Sequence, residues 1–268
     1  MALRDPHPSL RPYVRSYTGW FEHMTSPLCR RELPTDEVPV IVNFGAPIRI
    51  YDAGDSENFS VRESFATGAY DTYVRVVSSG PSGGVQINFS ILGARLFLAQ
   101  PLDALRNRSV PLEDVLGSLA GRLAAMLQDA PDWDARFGIL DREIARRLQS
   151  TTVPSPQVCW AWRRIVETKG RIDIGRIVDE VGWSQRHLIT RFRSDIGLSP
   201  KTMARVMRFG RAAQLLRLNA RPDLSAIAVD CGYYDQSHFT RDFRAFAGVT
   251  PGELIASVLP DNGGIVAE

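Results

Sequence analysis

Two stretches near the C-terminus place the same kinds of side chain at the same offsets. Counted from Ser184, positions one, two, five and six are Gln185, Arg186, Ile189 and Thr190; counted from Asp235 they are Gln236, Ser237, Thr240 and Arg241. In both stretches a large apolar residue stands four positions on (Leu188, Phe239) and a Phe eight positions on (Phe192, Phe243), followed by Arg193 or Arg244. Offsets four and eight share one face of a helix, which leaves the polar set near the opposite face. Gln can bond adenine bidentately, Arg can bond guanine O6 and N7, and an Ile or Thr methyl can meet the thymine methyl. The chemistry implied is base-edge reading in a DNA major groove, with Arg186, Gln236 and Arg241 contributing most. His187 and His238, at position three, stand on the border between the two faces. Arg193, Arg205, Arg208 and Arg244 are expected to position phosphates, while Arg191 is suited either to that or to the groove between helices.

The elements that must carry these residues are legible around them. Ile177 and Ile227 each precede a Gly by five positions (Gly182, Gly232), and a tight turn then leads to the Ser184 or Asp235 N-cap. Gly197 matches Gly248, and Pro200 matches Pro251. This is the register of two helix-turn-helix units. The stretch from about 157 to 259 resembles the DNA-binding domain of the AraC/XylS transcription regulators, and Gly232 to Pro251 follows the family signature almost position for position. The resemblance implies two helix-turn-helix units joined by a long helix, double-stranded DNA as partner, and regulation of transcription. It leaves room for RNA polymerase and a second copy of the chain as further partners. A first helix over 157–168 is expected to present Trp162, Ile165 and Val166, and the joining helix to run from Pro200 to near Asn219. Thr250-Pro251-Gly252-Glu253 has the form of a capping box that opens a last helix bearing Leu254, Ile255 and Val258.

The fold class expected is α+β: a β-rich, barrel or cupin-like domain over 1–111, a helical connector over 112–150, a linker over 151–156, the all-α domain over 157–259 and a frayed tail over 260–268. Val38 to Phe44, Thr72 to Ser79 and Val85 to Ile91 are rich in β-branched and aromatic residues, with Gly80, Pro81, Gly83 and Gly84 read as punctuation between strands. The cupin form comes from the resemblance, which implies a sensor domain that also dimerises in some members. Tyr17, Trp20, Phe21, Phe44 and Tyr51 are candidates to line an effector pocket, although aromatic residues of this kind also serve as plain core. Leu112, Val115, Leu116, Leu119, Leu123, Met126 and Leu127 have helical spacing, as do Phe137, Leu140, Ile144 and Leu148 beyond a Pro-Asp-Trp break. That stripe suits a dimerisation hairpin and packing on the β-domain equally well.

Composition bounds the rest. Residues 157–259 carry sixteen Lys and Arg against ten Asp and Glu, whereas 1–156 carry sixteen against eighteen. The basic excess thus lies where nucleic acid is expected. Cys29, Cys159 and Cys231 show no paired spacing, and His7 and His23 with one cysteine make no metal cluster, so neither metal nor cofactor is expected. Cys231 is expected to pack. Without an apolar leader or membrane-length run, a cytoplasmic location follows. Two other readings stand beside an effector-controlled regulator. One is a constitutive DNA-binding protein whose β-domain only dimerises. The other is an enzyme fused to a DNA-binding domain, as in DNA-repair regulators that carry a reactive cysteine; Cys29, in Pro27-Leu28-Cys29-Arg30, lacks that setting, and no catalysis is expected.

Overall fold

The computed structural model describes the chain except for residues 56, 219–221, 257–264 and 267–268. Period-two alternation in the N-terminal half produces β1 (Ala2–Arg4), β2 (Val14–Glu32), β3 (Glu37–Asn43), β4 (Ile48–Tyr51), β5 (Ser60–Arg62), β6 (Phe65–Thr67), β7 (Val74–Ser90) and β8 (Ser109–Pro111), all paired antiparallel in one sheet. The order is β1-β2-β7-β3-β6-β8, with β4 paired to β5 and to the first part of β7. Among the described residues the pairing path stays open, so the strands wrap without closing a ring of hydrogen bonds.

Two sheet faces bury different sets. Tyr17, Val38, Val40, Val42, Val85, Ile87 and Phe89 are fully buried under the helices. Ile41, Ile48, Ile50, Phe65 and Val74 form a separate cluster on the other face, joined by Trp20, Tyr70 and Val76. The expected break at residues 80–84 is absent, because β7 runs through it as one strand paired to β2 along its length. Gly83 and Gly84 serve close approach instead: a Cβ on Gly83 would strike the Phe21 ring, and one on Gly84 the Val42 carbonyl and the Trp20 ring, while Gly80 takes a positive φ of 69° within the strand. Ile91, expected in a strand, opens α1 (Ile91–Leu98), whose cap Ser90 accepts from the Gly93 amide at 3.1 Å.

The connector forms α2 (Leu112–Leu116), α3 (Ser118–Asp129) and α4 (Trp133–Gln149). Of the two partners open to its apolar stripe, the structure shows the sheet. Tyr17 stacks on Phe137 at 5.7 Å and donates its hydroxyl to Asp141 at 3.0 Å, while Trp133 covers Gly19. Burial and the Asp141 carboxylate push the Tyr17 hydroxyl well above the usual phenol range, so it stays a donor.

In the linker stretch Pro154 is buried, and Pro156 belongs to the next helix, α5 (Pro156–Glu167), capped by Ser155. Then come α6 (Ile174–Val181), α7 (Gln185–Ile196), α8 (Pro200–Leu218), α9 (Leu224–Asp230), α10 (Gln236–Ala247) and α11 (Pro251–Ala256). The Thr250–Glu253 capping box is made, with the Thr250 amide donating to Glu253 at 2.6 Å and the Glu253 amide to the Thr250 hydroxyl at 3.3 Å. Asn219 and Val258 lie outside the described residues. So does most of the tail, although Ile265–Val266 form β9 against Arg31 and Arg30 of β2 rather than fraying, since that edge still offers unpaired backbone groups. No described helix is long and apolar enough to cross a membrane.

The hairpin packing sets a test. A Cβ at buried Gly19 would collide with the Trp133 ring. Gly19→Ala is therefore expected to lower stability by about 1–3 kcal/mol in urea unfolding. A neutral result would mean that α4 does not sit on β2.

Candidate nucleic-acid interface

Each recognition helix is set by the same local chemistry. After α6 the chain turns at Gly182 (φ +72°), and the Ser184 hydroxyl caps α7 by accepting from the His187 amide at 3.3 Å. After α9 it turns at Gly232 (φ +78°), and the Asp235 carboxylate caps α10 through the His238 amide at 2.6 Å. Gly197 and Gly248, both left-handed, end the two helices. Leu188, Phe192, Phe239 and Phe243 are completely buried, and α8, 19 residues or roughly 28 Å long, separates the units.

The outward faces carry most of the expected base-contact residues. Gln185, Arg186, Thr190, Gln236, Ser237 and Arg241 are exposed, and Ile189 and Thr240 are half-buried. Thr190 commits its hydroxyl to the Arg186 carbonyl at 3.0 Å. Gln236 receives the Ser225 hydroxyl on its amide oxygen at 2.9 Å, which orients the side chain. Arg191, Arg193 and Arg244 are exposed, as is His187, whereas His238 is half-buried with its Nε2 3.9 Å from Asp242.

Two of the four phosphate candidates make contacts within the fold. Arg205 grips Asp242 of α10 with both nitrogens, at 2.8 and 3.2 Å, over the Phe246 ring, and this hydrogen-bonded pairing raises its pKa further. Arg208 donates to the Gly170 carbonyl at 2.9 Å and lies over Tyr233. Arg205 projects from α8 toward α10, where buried Asp242 demands a partner, and Arg208 projects toward the Gly170 carbonyl. Asp242, a carboxylate next to the buried Phe243, was the sequence signal for this pairing. A residue that spacing did not single out is Tyr234, 90% exposed immediately before the Asp235 cap.

Both helices are also held at their C-terminal ends by the N-terminal half. Arg95 of α1 pairs with buried Asp195 of α7 at 3.0 Å, and the Leu102 amide donates to the Ser194 carbonyl at 2.9 Å. Arg31 of β2 donates to the Ala247 carbonyl at the end of α10 at 2.6 Å and stacks over Tyr73.

The second face of the sheet borders a half-open cavity of about 420 Å³. Of the five aromatic candidates only Trp20 lines it. Tyr17, an odd-numbered residue of β2, faces the helices; Phe21 stacks near Trp133 at 5.0 Å and, with Phe44, borders a shallow surface dent; Tyr51 rests on Phe59 at 5.2 Å. The lining comes instead from the even-numbered β2 residues Thr18, Trp20, Glu22, Arg30 and Glu32, and from residues such as Phe65 and Tyr70. Strand parity along β2 was the available signal.

Comparison with known proteins agrees with this geometry. A helix-turn-helix domain family matches residues 177–257, and a domain of unknown function (DUF6597) matches residues 4–111. The F1 operon positive regulatory protein of Yersinia pestis is 39% identical over 80 residues, 30% of this chain and 26% of that protein. This chain aligns with only about a quarter of the length of the curated relatives it matches. Among solved structures, a probable AraC family transcriptional regulator from Rhodopseudomonas palustris is 30% identical, covering 40% of this chain and 100% of that one, with a TM-score of 0.35. Unsaturated fatty acid bound ToxT from Vibrio cholerae is 11% identical, covering 94% of this chain and 96% of that one, with a TM-score of 0.47. With two capped units in one register and the family match over the same residues, the C-terminal part of this chain belongs to the AraC-type helix-turn-helix domains.

Proposed function

We propose that the chain is a sequence-specific DNA-binding transcriptional regulator whose N-terminal domain takes a small-molecule effector. The observation that carries the reading is the pair of equivalent helices, α7 and α10, each capped at one end, held at the other, and free on the face that bears Gln185, Arg186, Gln236, Ser237 and Arg241. Ile189, Thr190 and Thr240 complete the base-facing set. Arg193 and Arg244 serve as phosphate contacts, Tyr234 adds an exposed ring beside the second helix, and Arg205 and Arg208 hold the frame. The protein acts by binding, without catalysis, in the cytoplasm. RNA polymerase and a second copy of the chain as partners rest on the family resemblance alone.

The half-open cavity supports an effector-controlled regulator over one whose N-terminal domain only dimerises. An effector must bind two states of the protein with different affinity to act. The contacts Arg95–Asp195, Leu102–Ser194 and Arg31–Ala247 supply the element to be biased, since they hold the two recognition helices in one relative setting.

Fluorescence anisotropy against the protein's own upstream DNA and a scrambled duplex, across a salt series, tests the reading. At least about hundredfold tighter binding to the upstream DNA is expected. Arg186→Ala and Gln236→Ala should each cost about 1–3 kcal/mol of that affinity in a folded protein. Absence of binding to either duplex at low salt would sink the proposal. Arg193→Ala and Arg244→Ala should weaken both duplexes alike and reduce the salt slope by about one each. By contrast, Asp242→Ala should reduce unfolding stability by about 1.5–3 kcal/mol, through the stranded Arg205. Arg95→Gln, remote from the DNA face, should shift DNA affinity by about fivefold or more if the domain contacts set the helices; an unchanged affinity would count against that coupling.

A further inference from the structure

The cavity beneath the sheet is unevenly charged. Glu22, Glu32 and Glu37 line it, against Arg30 as the one lining guanidinium. The Arg30 guanidinium stands 3.7 Å from Glu22, a loose ion pair, and its Nε is buried without a hydrogen-bond partner. Glu32 and Glu37 have no ion pair, and no hydrogen bond reaches their carboxylates, among the described residues. Desolvation pushes the half-buried Glu37 carboxyl up, with neighbouring Asp36 adding to it and Arg15 opposing, whereas Glu32 is solvent-exposed near Arg30 and Arg217. Glu22 and Glu32 are solvent-exposed and Glu37 is half-buried, so three carboxylates border a cavity that is open on one side and give it an acidic lining.

The remaining walls suit one kind of ligand. Trp20 and Tyr70 offer ring faces, and Trp20 is fixed in orientation by its indole nitrogen donating to the Ser82 hydroxyl at 2.9 Å. Ile41, Ile48 and Ile50 supply apolar surface. Carboxylates next to aromatic faces replace part of the hydration that a cation loses on entry, whereas an anion would meet like charge. A volume of about 420 Å³ lies within the usual range for small-molecule sites.

We infer that this cavity binds an organic cation, an amine or quaternary ammonium group carried on an apolar body, with Glu32 and Glu37 as counter-charges and Trp20 and Tyr70 as its aromatic walls. The inference rests on the reading of the cavity as an effector site and names the chemistry of what enters it. Strand parity gives it a route to the DNA-binding half. Arg30 and Glu32 face the cavity, and Arg31 between them holds the end of α10.

Three probes of nearly equal shape decide the matter: 4-phenylbutylamine, 4-phenylbutanol and 4-phenylbutanoate, titrated into the full chain by calorimetry. The amine is expected to bind at least tenfold tighter than either companion. Glu32→Gln/Glu37→Gln should abolish that preference while melting no lower than the parent protein, because the charges removed have no partners. Should the double variant melt early, Glu37→Gln alone should still lose at least threefold in amine affinity. Equal or tighter binding of the alcohol or the carboxylate, failure of the amine to bind at millimolar concentration, or an unchanged amine affinity in the folded variants would overturn the inference. DNA anisotropy with each probe separates the two readings. Amine binding without any change in DNA affinity keeps the cation site and removes the effector role; a response to the carboxylate alone does the reverse.

Discussion

The structure depends on the alternation of β2 against β7. Even-numbered β2 residues, from Thr18 and Trp20 to Arg30 and Glu32, line the cavity; odd-numbered Tyr17, Gly19 and Arg31 face the helices. A slip of one residue would exchange the two sets, putting Tyr17 in the cavity and Trp20 against α4. The irregularity between Met24 and Leu28 leaves this parity intact, because two extra residues on β2 are absorbed opposite Gly80 and Ser78. One strand pair thus builds the cavity, the platform for the helical hairpin and the Arg31 contact to α10.

The DNA-binding half follows a different logic, in which short-range chemistry is repeated and then packed. Ser184 and Asp235 satisfy the first amides of their helices, and Gly182 and Gly232 supply the positive φ that precedes them. Phe209 of α8 meets Phe243 and Phe246 of α10 at about 5 Å, so the joining helix and the second recognition helix share one aromatic core. Arg205 and Asp242 lock the same contact from its polar side. The recognition faces are what this packing leaves over.

The two halves meet through few groups, each well placed. Asp195 and Arg95 are both largely buried, and an ion pair of that kind is costly unless both partners stay together. It ties α7 to α1. Arg31 acts in the same way at the end of α10, where its positive charge also suits the negative pole of the helix.

What the sequence by itself determined was local. The caps, the left-handed glycines, the buried Leu188, Phe192, Phe239 and Phe243, and the exposure of Arg186 and Arg241 follow from spacing, because a helix repeats its environment every few residues. Stretches such as Val38 to Phe44 showed strands for the same reason. Only the tertiary structure decided what distant groups do. Gly83 and Gly84 serve close packing and not a turn, since Phe21 and Trp20 lie over them. Arg205 and Arg208 turn inward because Asp242 and the Gly170 carbonyl wait there, across 37 and 38 positions of chain. The connector's stripe packs on the sheet through Tyr17 and Phe137, a choice its own periodicity left open. The cavity is lined by Glu32, Glu37 and Tyr70 in place of most of the aromatic residues a composition search selects. Pairing register and strand parity across the sheet set those partners, and neither is written in any single segment.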